Sequence, residues 1–325
     1  MRGDIVWGVK KEMDIVYSNG NCTYSSSRNI ICYSQLETVK KVPISKDDKE
    51  LKIDKKAEQY EDDVINIAFF GLDRRKKDEP SRSDAIMIVS LDKKHKKVKV
   101  SSIMRDSYVD IEGHGKTKLN HAYAYGGPEL AIKTLNSNFK LNIRDFVSVD
   151  FYGLEKIIDT VGGVEIPVRS DEIKYINTYM QETARIQGKN VQEVQNPGVQ
   201  NLNGMQAVAY ARIRYTSGGD YERTERQRTV LTAIINKVKK LGPTEFPKVV
   251  STLLPNVESS FSSTEIMKMG ASAFTLGTDN VEQQRFPLDD YCEGKLIDGI
   301  YYLLFQEEKT INQIHKYIFE DIKPN

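Results

Sequence analysis

One segment constrains the fold more than any other: the nearly continuous apolar run VINIAFFGL, which begins at Val64. A strand that is apolar along its whole length is typical of a sheet covered by helices, because a half-exposed strand would alternate apolar and polar residues. Asp73 follows at the end of this run. We therefore expect a buried strand with an acidic side chain at its carboxyl end.

Two more apolar runs predict an antiparallel hairpin. AIMIVSL begins at Ala85 and VKVSSI at Val98, and the polar segment DKKHKK between them is typical of an exposed tip. In an antiparallel pair, the start of the first strand lies beside the end of the second. We therefore expect acidic and basic side chains to meet at one sheet edge: Arg82, Asp84, Arg105 and Asp106.

The rest of the chain alternates between segments with the apolar spacing of helices and segments with the apolar pattern of strands, which predicts the α/β class. PELAIKTLNSNF and YGLEKIIDTV have helical spacing, and FVSVDF and VEIPV are typical strands. Asn203 is a good N-cap for the helix GMQAVAYAR. In the tail we expect helices over about 263–276 and 307–319, and strands over about 281–286 and 300–305.

A longer helix is predicted over about 221–241, from apolar residues at helical spacing. Arg223 and Gln227 are four residues apart on it and share a face near its N-terminal end. The helix dipole favours an anion at that end. The sequence therefore indicates an anion-binding position here.

Residues 1–62 differ in composition from the rest of the chain. Two β-rich runs around YSNGNCTYSSSRNIICYS precede the charged segment SKDDKELKIDKKAEQYEDD. We interpret 1–62 as a small N-terminal appendage with a solvated, charged linker or helix, and 63–325 as the main domain. Cys22 and Cys32 are compatible with either a disulfide or two free thiols.

Composition limits the partners of the chain. With 39% hydrophobic and 29% charged residues, the 325-residue chain can bury one main core and stay well solvated. The net charge of +1 gives no global attraction to nucleic acid or to an anionic membrane. No apolar run approaches the roughly 18–20 residues that span a bilayer, so the chain by itself is expected to be soluble.

The acidic pair Asp73 and Asp84 is the first candidate for chemistry. Carboxylates at strand ends are common ligands of hard cations, and magnesium takes one or two of them together with phosphate oxygens. Either aspartate alone is more typical of a surface turn. Their predicted meeting at one sheet edge makes the pair more informative.

The second candidate is the arginine-rich segment YARIRYTSGGDYERTERQR. Arginine presents a planar fork of donors that matches phosphate, so this segment could clamp a pyrophosphate. Arg212 and Arg214 alternate in an extended exit from a helix and are expected to point the same way. For Arg226 and Arg228 we favour a solvated basic helix face. No nucleotide-binding GxxxxGK[ST] loop, zinc-protease HExxH helix or serine-hydrolase GxSxG elbow occurs.

Seven segments, taken in order, resemble the LytR-CpsA-Psr domain over about residues 64–239: NIAFFGLDRR, SRSDAIMIVSLD, VKVSSIMRDSYV, KLNHAYAYGGPE, DTVGGVEIPV, NLNGMQAVAYARIRY and GDYERTERQR. The resemblance implies a central mixed sheet flanked by helices, with a hydrophobic tunnel for a polyprenyl chain and a charged mouth for its pyrophosphate. It also implies an extracytoplasmic, membrane-anchored protein at the bacterial cell surface. The anchor is expected to be an N-terminal transmembrane helix that this chain lacks.

Carried over position by position, the resemblance assigns roles to particular residues. Asp73 and Asp84 match the acidic residues associated with a magnesium or manganese ion. The positions that match pyrophosphate-contacting residues of the family are Arg75, Arg82, Arg105, Arg212 and Arg214, with the helix positions Arg223 and Gln227 and the weaker candidates Lys118 and Asp220. Two departures are Met104, where the family usually has proline, and Glu222, where it usually has glycine.

The implied activity is transfer of a polyprenyl-pyrophosphate-linked glycopolymer, such as teichoic acid or capsule, onto peptidoglycan or another cell-wall acceptor. Asp73, Arg105 and Asp106 are the catalytic candidates, with Asp73 or Asp106 as general base. Asp106 is equally compatible with a salt bridge to a neighbouring arginine, which we favour. The alternatives are a non-catalytic polyprenyl-phosphate binder and a transcriptional attenuator, for which the sequence shows no DNA-reading element.

Overall fold

The computed structural model describes residues 15–18, 21–26, 29–32, 40–74, 81–275 and 281–324, and it describes side chains from residue 40 onward in these ranges except at 242–244, 248, 267 and 271–275. Arg75 and the side chains of Cys22 and Cys32 lie outside this part, so the predictions made for them stay predictions. In chain order the strands are β1 Ile15–Ser18, β2 Asn21–Ser26, β3 Asn29–Cys32, β4 Lys40–Lys41, β5 Val64–Leu72, β6 Ser83–Asp92, β7 Lys97–Ile103, β8 Tyr108–Ile111, β9 Gly115–Lys118, β10 Asp145–Asp150, β11 Val164–Val168, β12 Gly198–Leu202, β13 Glu258–Ser259, β14 Val281–Phe286, β15 Cys292–Ile297 and β16 Ile300–Phe305.

The helices alternate with these strands, as expected. They are α1 Lys55–Glu58, α2 His121–Phe139, α3 Phe151–Thr160, α4 Ser170–Gln187, α5 Gly204–Arg212, α6 Gly219–Lys240, α7 Gly242–Leu253, α8 Ser263–Thr275 and α9 Glu307–Phe319. The predicted N-cap of α5 is confirmed, since Asn203 accepts from the backbone N–H of Gln206 at 3.0 Å. None of the described helices is long and apolar enough to cross a membrane.

A seven-stranded mixed sheet with the order β14-β7-β6-β5-β10-β13-β4 forms the centre of the fold. The pairs β5–β6, β6–β7 and β10–β13 are antiparallel, whereas β5–β10, β7–β14 and β13–β4 are parallel. The predicted α/β class and the mixed sheet flanked by helices are therefore confirmed, as is the charged-tip hairpin formed by β6 and β7.

The central strand β5 is buried on both faces because helices cover each side of the sheet. Phe70 belongs to a core cluster that includes Leu135 of α2 and Ile318 of α9. Phe69, the next residue along the strand, packs on the opposite face in a cluster with Leu231 of α6. Alternate residues of the strand thus contact different helix layers, which accounts for its continuous apolar sequence.

Residues 40–62, which we interpreted as part of an appendage and solvated linker, pack against the domain. Leu51 and Ala57 are fully buried in the main core. The side-chain amide of Asn136 donates to the Leu51 carbonyl at 2.9 Å. The lysines and acids of this segment face solvent while its few apolar residues anchor it, so the linker interpretation was wrong for 40–62.

The basic face predicted for Arg226 and Arg228 on α6 is also wrong, because both side chains are buried. Nε of Arg226 donates to Glu172 at 2.7 Å, and its Nη2 donates to Glu222 at 2.6 Å. Buried arginines are tolerated when carboxylates compensate their charge. Glu222, which departs from the family pattern, is therefore one of the partners that hold Arg226 in place.

The end of the chain is fastened to the β6–β7 hairpin by a fully buried lysine. Nζ of Lys99 contacts Asp92 at 2.7 Å, Asp321 at 3.2 Å and the Ile318 carbonyl at 3.2 Å. Both the Lys99 and the Asp92 side chains have 0% exposure. This network joins the segment after α9 to the sheet.

Candidate functional site

The carboxylate of Asp84 lies between two arginines at the edge of the central sheet. Nη1 of Arg105 donates to Oδ1 at 2.6 Å, and Nη2 of Arg214 donates to Oδ2 at 2.9 Å. Burial by itself raises the pKa of Asp84, but Arg105, Arg223 and Arg214 outweigh it and hold the pKa below its ordinary value. Asp84 is thus a carboxylate anion that orients the guanidinium groups around it.

Arg223 is the most unusual residue of this site. Its side chain is 2% exposed, and its Nη2 contacts Oδ1 of Asp220 at 2.7 Å. Its Nε and Nη1 are buried and have no hydrogen-bond partner. Burial, together with Arg105 and Arg214, lowers its pKa to about 10 against the opposing effects of Asp220 and Asp84. A charged group held with unused buried donors is suited to receiving an anion.

Asp106 and Lys118 extend the site on the other side of Arg105. Nζ of Lys118 contacts Oδ1 of Asp106 at 2.8 Å, and Nε of Arg105 lies 3.5 Å from Oδ2 of Asp106 and 3.5 Å from Oδ2 of Asp220. The salt bridge that we favoured for Asp106 is therefore present. We call the following set the charged cluster: Asp84, Arg105, Asp106, Lys118, Arg214, Asp220 and Arg223.

Arg212 and Arg214 leave the end of α5 with different partners. The Arg212 guanidinium lies 5.2 Å from the ring centre of Phe151 and 5.1 Å from that of Tyr179. Its Nη1 donates to the Thr183 hydroxyl at 3.2 Å. Stacking between two rings fixes the plane of this guanidinium, and Tyr179 lies within the electrostatic influence of both Arg212 and Arg214.

Asp73 lies one strand away from Asp84 at the same sheet edge. Its backbone N–H donates to the Arg82 carbonyl at 3.4 Å, and both side chains are exposed. Within the described ranges, no ion pair involves the Asp73 carboxylate. Arg82 lies close enough to His121 that, after burial, it is the main cause of a lowered pKa for that imidazole. Asp73 thus offers an accessible carboxylate beside a basic surface.

An apolar cavity opens at the charged cluster. It is narrow, with a volume of about 50 Å³, and extends between the sheet and helices α3, α5 and α6. Asp84, Asp150 and Gln227 are its polar lining residues, whereas Leu154 and Leu231 line its apolar part. Sequence analysis identified none of the apolar residues as cavity lining, because on both the strands and the helices their spacing is the same as that of ordinary core residues.

The chemical type of the side chains at this sheet edge fits a magnesium or manganese ion. Asp73 and Asp84 offer the hard oxygen ligands that such ions prefer, on neighbouring strands. One of the two is exposed, and the other already accepts from two arginines. Elsewhere in the described part, Asp92, His95 and Asp321 form a group with metal-ligand proximity. The ammonium of Lys99 already neutralises it, so we regard it as an ion-pair network.

The chain is similar to proteins of known name and structure. It is 34% identical over 235 residues, 71% of this chain and 67% of the relative, to the regulatory protein MsrR of Staphylococcus aureus (strain COL). It is 31% identical over 265 residues, 80% of this chain and 77% of the relative, to the polyisoprenyl-teichoic acid–peptidoglycan teichoic acid transferase TagT of Bacillus subtilis (strain 168).

A structural likeness supports the same grouping. The LytR-CPS2A-psr family protein YwtF (TagT) with bound octaprenyl pyrophosphate lipid superposes with a TM-score of 0.60 at 27% identity, covering 80% of this chain and 90% of that one. The sequence model of the LytR_cpsA_psr family matches residues 30–318. This match extends beyond the seven segments that carry the resemblance and includes the packed residues 40–62. The chain therefore belongs to the LytR-CpsA-Psr family.

Proposed function

We propose that this protein is an extracytoplasmic phosphotransferase that moves a polyprenyl-pyrophosphate-linked glycopolymer onto peptidoglycan or a similar cell-wall acceptor. The observation that carries the proposal is Arg223, a buried guanidinium with two unpartnered donors beside Arg105 and Arg214. An apolar cavity opens next to it. A ligand with a long apolar chain and a strongly anionic head would satisfy both features together.

The relatives support the same substrate class. The name of TagT describes a transferase of teichoic acid from a polyisoprenyl carrier to peptidoglycan, and the YwtF (TagT) structure holds octaprenyl pyrophosphate. For this chain, we propose that the prenyl chain enters at this cavity and pushes Leu154 and Leu231 apart, because the cavity's volume of about 50 Å³ is well below the roughly 300–1,000 Å³ of a typical ligand pocket. The pyrophosphate would then meet Arg105, Arg214 and Arg223, with Arg212 completing the cationic surface. Teichoic acid and capsule are both glycopolymers of this kind.

The proposed reaction is a single displacement at phosphorus. An acceptor hydroxyl attacks the phosphorus that carries the glycopolymer, a new P–O bond forms, and the bond to the bridging oxygen breaks. The leaving group is polyprenyl phosphate, and the arginines stabilise the negative charge that grows on it. This single displacement needs no covalent enzyme intermediate.

The proton of the acceptor hydroxyl must pass to a base. Asp106 already pairs with Lys118 and Arg105 and is 7% exposed. Asp73 is exposed beside the same sheet edge, which makes its carboxylate accessible to an incoming hydroxyl. We therefore favour Asp73 as general base. A magnesium or manganese ion held by Asp84 and by one carboxylate oxygen of Asp73 would add charge neutralisation at the phosphate oxygens and leave the other oxygen of Asp73 to accept the proton.

Transfer can be measured directly. The protein would be incubated with a synthetic polyprenyl-pyrophosphoryl disaccharide, peptidoglycan fragments and magnesium, and the products followed by mass spectrometry. We expect transfer by the wild type and by the surface control Asp110→Asn, and loss of transfer in Asp73→Asn and after chelation of the metal. Tight lipid binding without transfer to any acceptor would instead favour a carrier-binding protein, and absence of lipid binding would contradict both functions.

A further inference from the structure

The β15–β16 hairpin lies at one end of the charged cluster. Along the contacts that join the residues of the cluster, this end is the one farthest from the apolar cavity. Its tight turn is formed by Asp298 and Gly299, whose φ angles of 51° and 77° suit a two-residue hairpin loop. The hairpin is fastened at its other end, where the backbone N–H of Leu303 donates to the Asp106 carbonyl at 2.9 Å. One end is thus tied to a residue of the cluster.

One face of this hairpin is covered only in part. The register pairs Gly294 with Leu303 and Leu296 with Tyr301, so these four side-chain positions share a face. Leu303 is 1% exposed, whereas Leu296 is 68% and Tyr301 is 46% exposed. The face of the hairpin that packs on the domain at Leu303 is therefore exposed farther along, at Leu296 and Tyr301, where it forms an open apolar surface.

Tyr301 is held in place within this open surface. A Cβ added at Gly294 would lie 2.6 Å from a carbon of the Tyr301 ring, so the ring lies directly over the glycine. Nζ of Lys118 is 5.9 Å from the ring centre and also 5.9 Å from that of Tyr302, but the Tyr302 ring already packs on Tyr108 at 4.8 Å, so Tyr301 is the more open of the two. Burial, Asp106 and Asp220 raise the pKa of Tyr301, which places its hydroxyl in the field of the charged cluster. The ring is oriented before any ligand arrives.

The order of contacts matches the order of groups in the proposed substrate. Asp84 lines the cavity and contacts Arg105, which reaches Asp106. Asp106 contacts Lys118, which lies against the Tyr301 ring. A ligand with its prenyl chain in the cavity and its pyrophosphate at the arginines would carry its next group, the first sugar, towards Tyr301.

We infer that the β15–β16 hairpin, through Tyr301 and with Lys118 beside it, forms the binding wall for the sugar ring that is joined to the pyrophosphate. This inference rests on the proposed function. The face of a tyrosine ring packs well against the apolar C–H face of a sugar, and Lys118 and Asp106 offer polar contacts to its hydroxyl groups. The hairpin thereby selects which glycopolymer is accepted.

The test compares two ligands, octaprenyl pyrophosphate and the same lipid bearing one hexose, by calorimetric titration of the full chain. We expect the hexose to strengthen binding to the wild type. In Tyr301→Ala we expect binding of the hexose-bearing lipid to weaken about fivefold to tenfold, with little change for the bare lipid. Tyr301→Phe should keep most of the gain. Ile300→Ala, an exposed apolar change on the opposite face, is the matched control.

Two results would overturn the inference while leaving the proposed function standing. In the first, Tyr301→Ala keeps the full gain from the hexose. In the second, Tyr301→Ala weakens both ligands equally, which would assign the hairpin to lipid contact or to general architecture. If the wild type binds neither lipid, the proposed function itself fails, and the inference fails with it.

Discussion

Arg105 and Asp84 meet at 2.6 Å between Nη1 and Oδ1, although Asp84 lies near the start of β6 and Arg105 follows the end of β7. Because Arg214 contacts the other oxygen of the same carboxylate, Asp84 competes with any bound anion for both arginines. Arg223 keeps two buried donors free of this competition. The site therefore contains one arginine that is ready for phosphate and two that a carboxylate holds in place until phosphate arrives.

Replacing Asp84 with asparagine separates anion binding from metal binding. Without the carboxylate, Arg105 and Arg214 are free for phosphate, so we expect affinity for octaprenyl pyrophosphate in the presence of chelator to rise about tenfold. Sugar transfer with magnesium should fall, since one metal ligand is lost. Calorimetry and the transfer assay would measure the two effects, and weaker binding in chelator would contradict this role of Asp84.

Replacing Arg223 with methionine removes the unpartnered donors and keeps much of the side-chain volume. We expect binding of the lipid pyrophosphate to weaken by about 2–3 kcal/mol, because a charge-assisted contact inside a buried site is lost. The free energy of unfolding should stay the same or increase, since a buried charge with incomplete compensation is removed. Calorimetry and urea denaturation would measure both quantities, and a variant that unfolds easily but binds normally would contradict the assignment.

Replacing Leu154 with tryptophan is expected to fill the apolar cavity. Long prenyl chains should then be excluded, while a farnesyl pyrophosphate with a short tail keeps contacts at the arginines. The ratio of the two affinities, measured by competition, should move towards the short lipid by about tenfold or more. Ile186→Trp is the control, because Ile186 is 73% exposed and does not line the cavity. An unchanged ratio would show that the chain binds elsewhere.

The buried network around Lys99 predicts a large effect on stability. Lys99→Met leaves Asp92 without its buried cation, so the free energy of unfolding should fall by about 3–5 kcal/mol. Lys97 contacts Asp321 as well, but its side chain is 32% exposed, and Lys97→Met should cost less than about 1 kcal/mol. Urea denaturation of the two variants would measure the difference, and similar losses for both would contradict the assigned role of burial.

Glu222 predicts a pH dependence of stability. A hydrogen bond from Thr216 and the cations of Arg169 and Arg226 lower its pKa from 4.5 to about 2, against a smaller opposing effect of burial. Since the folded pKa is the lower one, its contribution is complete above pH 4.5 and is lost as pH falls towards 2. The stability gap between wild type and Glu222→Gln, measured by denaturation at several pH values, should therefore shrink over this window.

Local patterns in the sequence were sufficient for the sheet centre and for the meeting of Asp84 with Arg105. A continuous apolar strand and a charged-tip hairpin are each encoded by neighbouring residues. The burial of Arg226 could not be predicted in this way, because its partner Glu172 lies 54 residues away. Leu51 and Ala57 were missed because single apolar residues in a charged segment carry no periodic signal.

The same distinction applies to the candidate site: local sequence patterns predicted some of its residues and could not predict others. Arginine density pointed to the anion-binding segment, and the family resemblance gave the roles that remain predictions. The cavity lining and Tyr301 had no distinctive local pattern. Leu231 is spaced like any core residue of a helix, and Tyr301 lies in an ordinary strand. Their importance comes from the register of β15 with β16 and from the gap between α6 and the sheet, which depend on contacts distant in sequence.

The pairing of β4 with β13 has a practical consequence for anyone who shortens the chain. These two-residue strands pair from Glu258 to Lys40 and from Ser259 to Lys41 and form one rim of the central sheet. A fragment beginning at residue 63 would lose that rim, and the backbone of β13 would be left unpaired. An unpaired edge strand favours edge-to-edge association between copies of the fragment. Expression boundaries for this domain should therefore be placed upstream of Lys40.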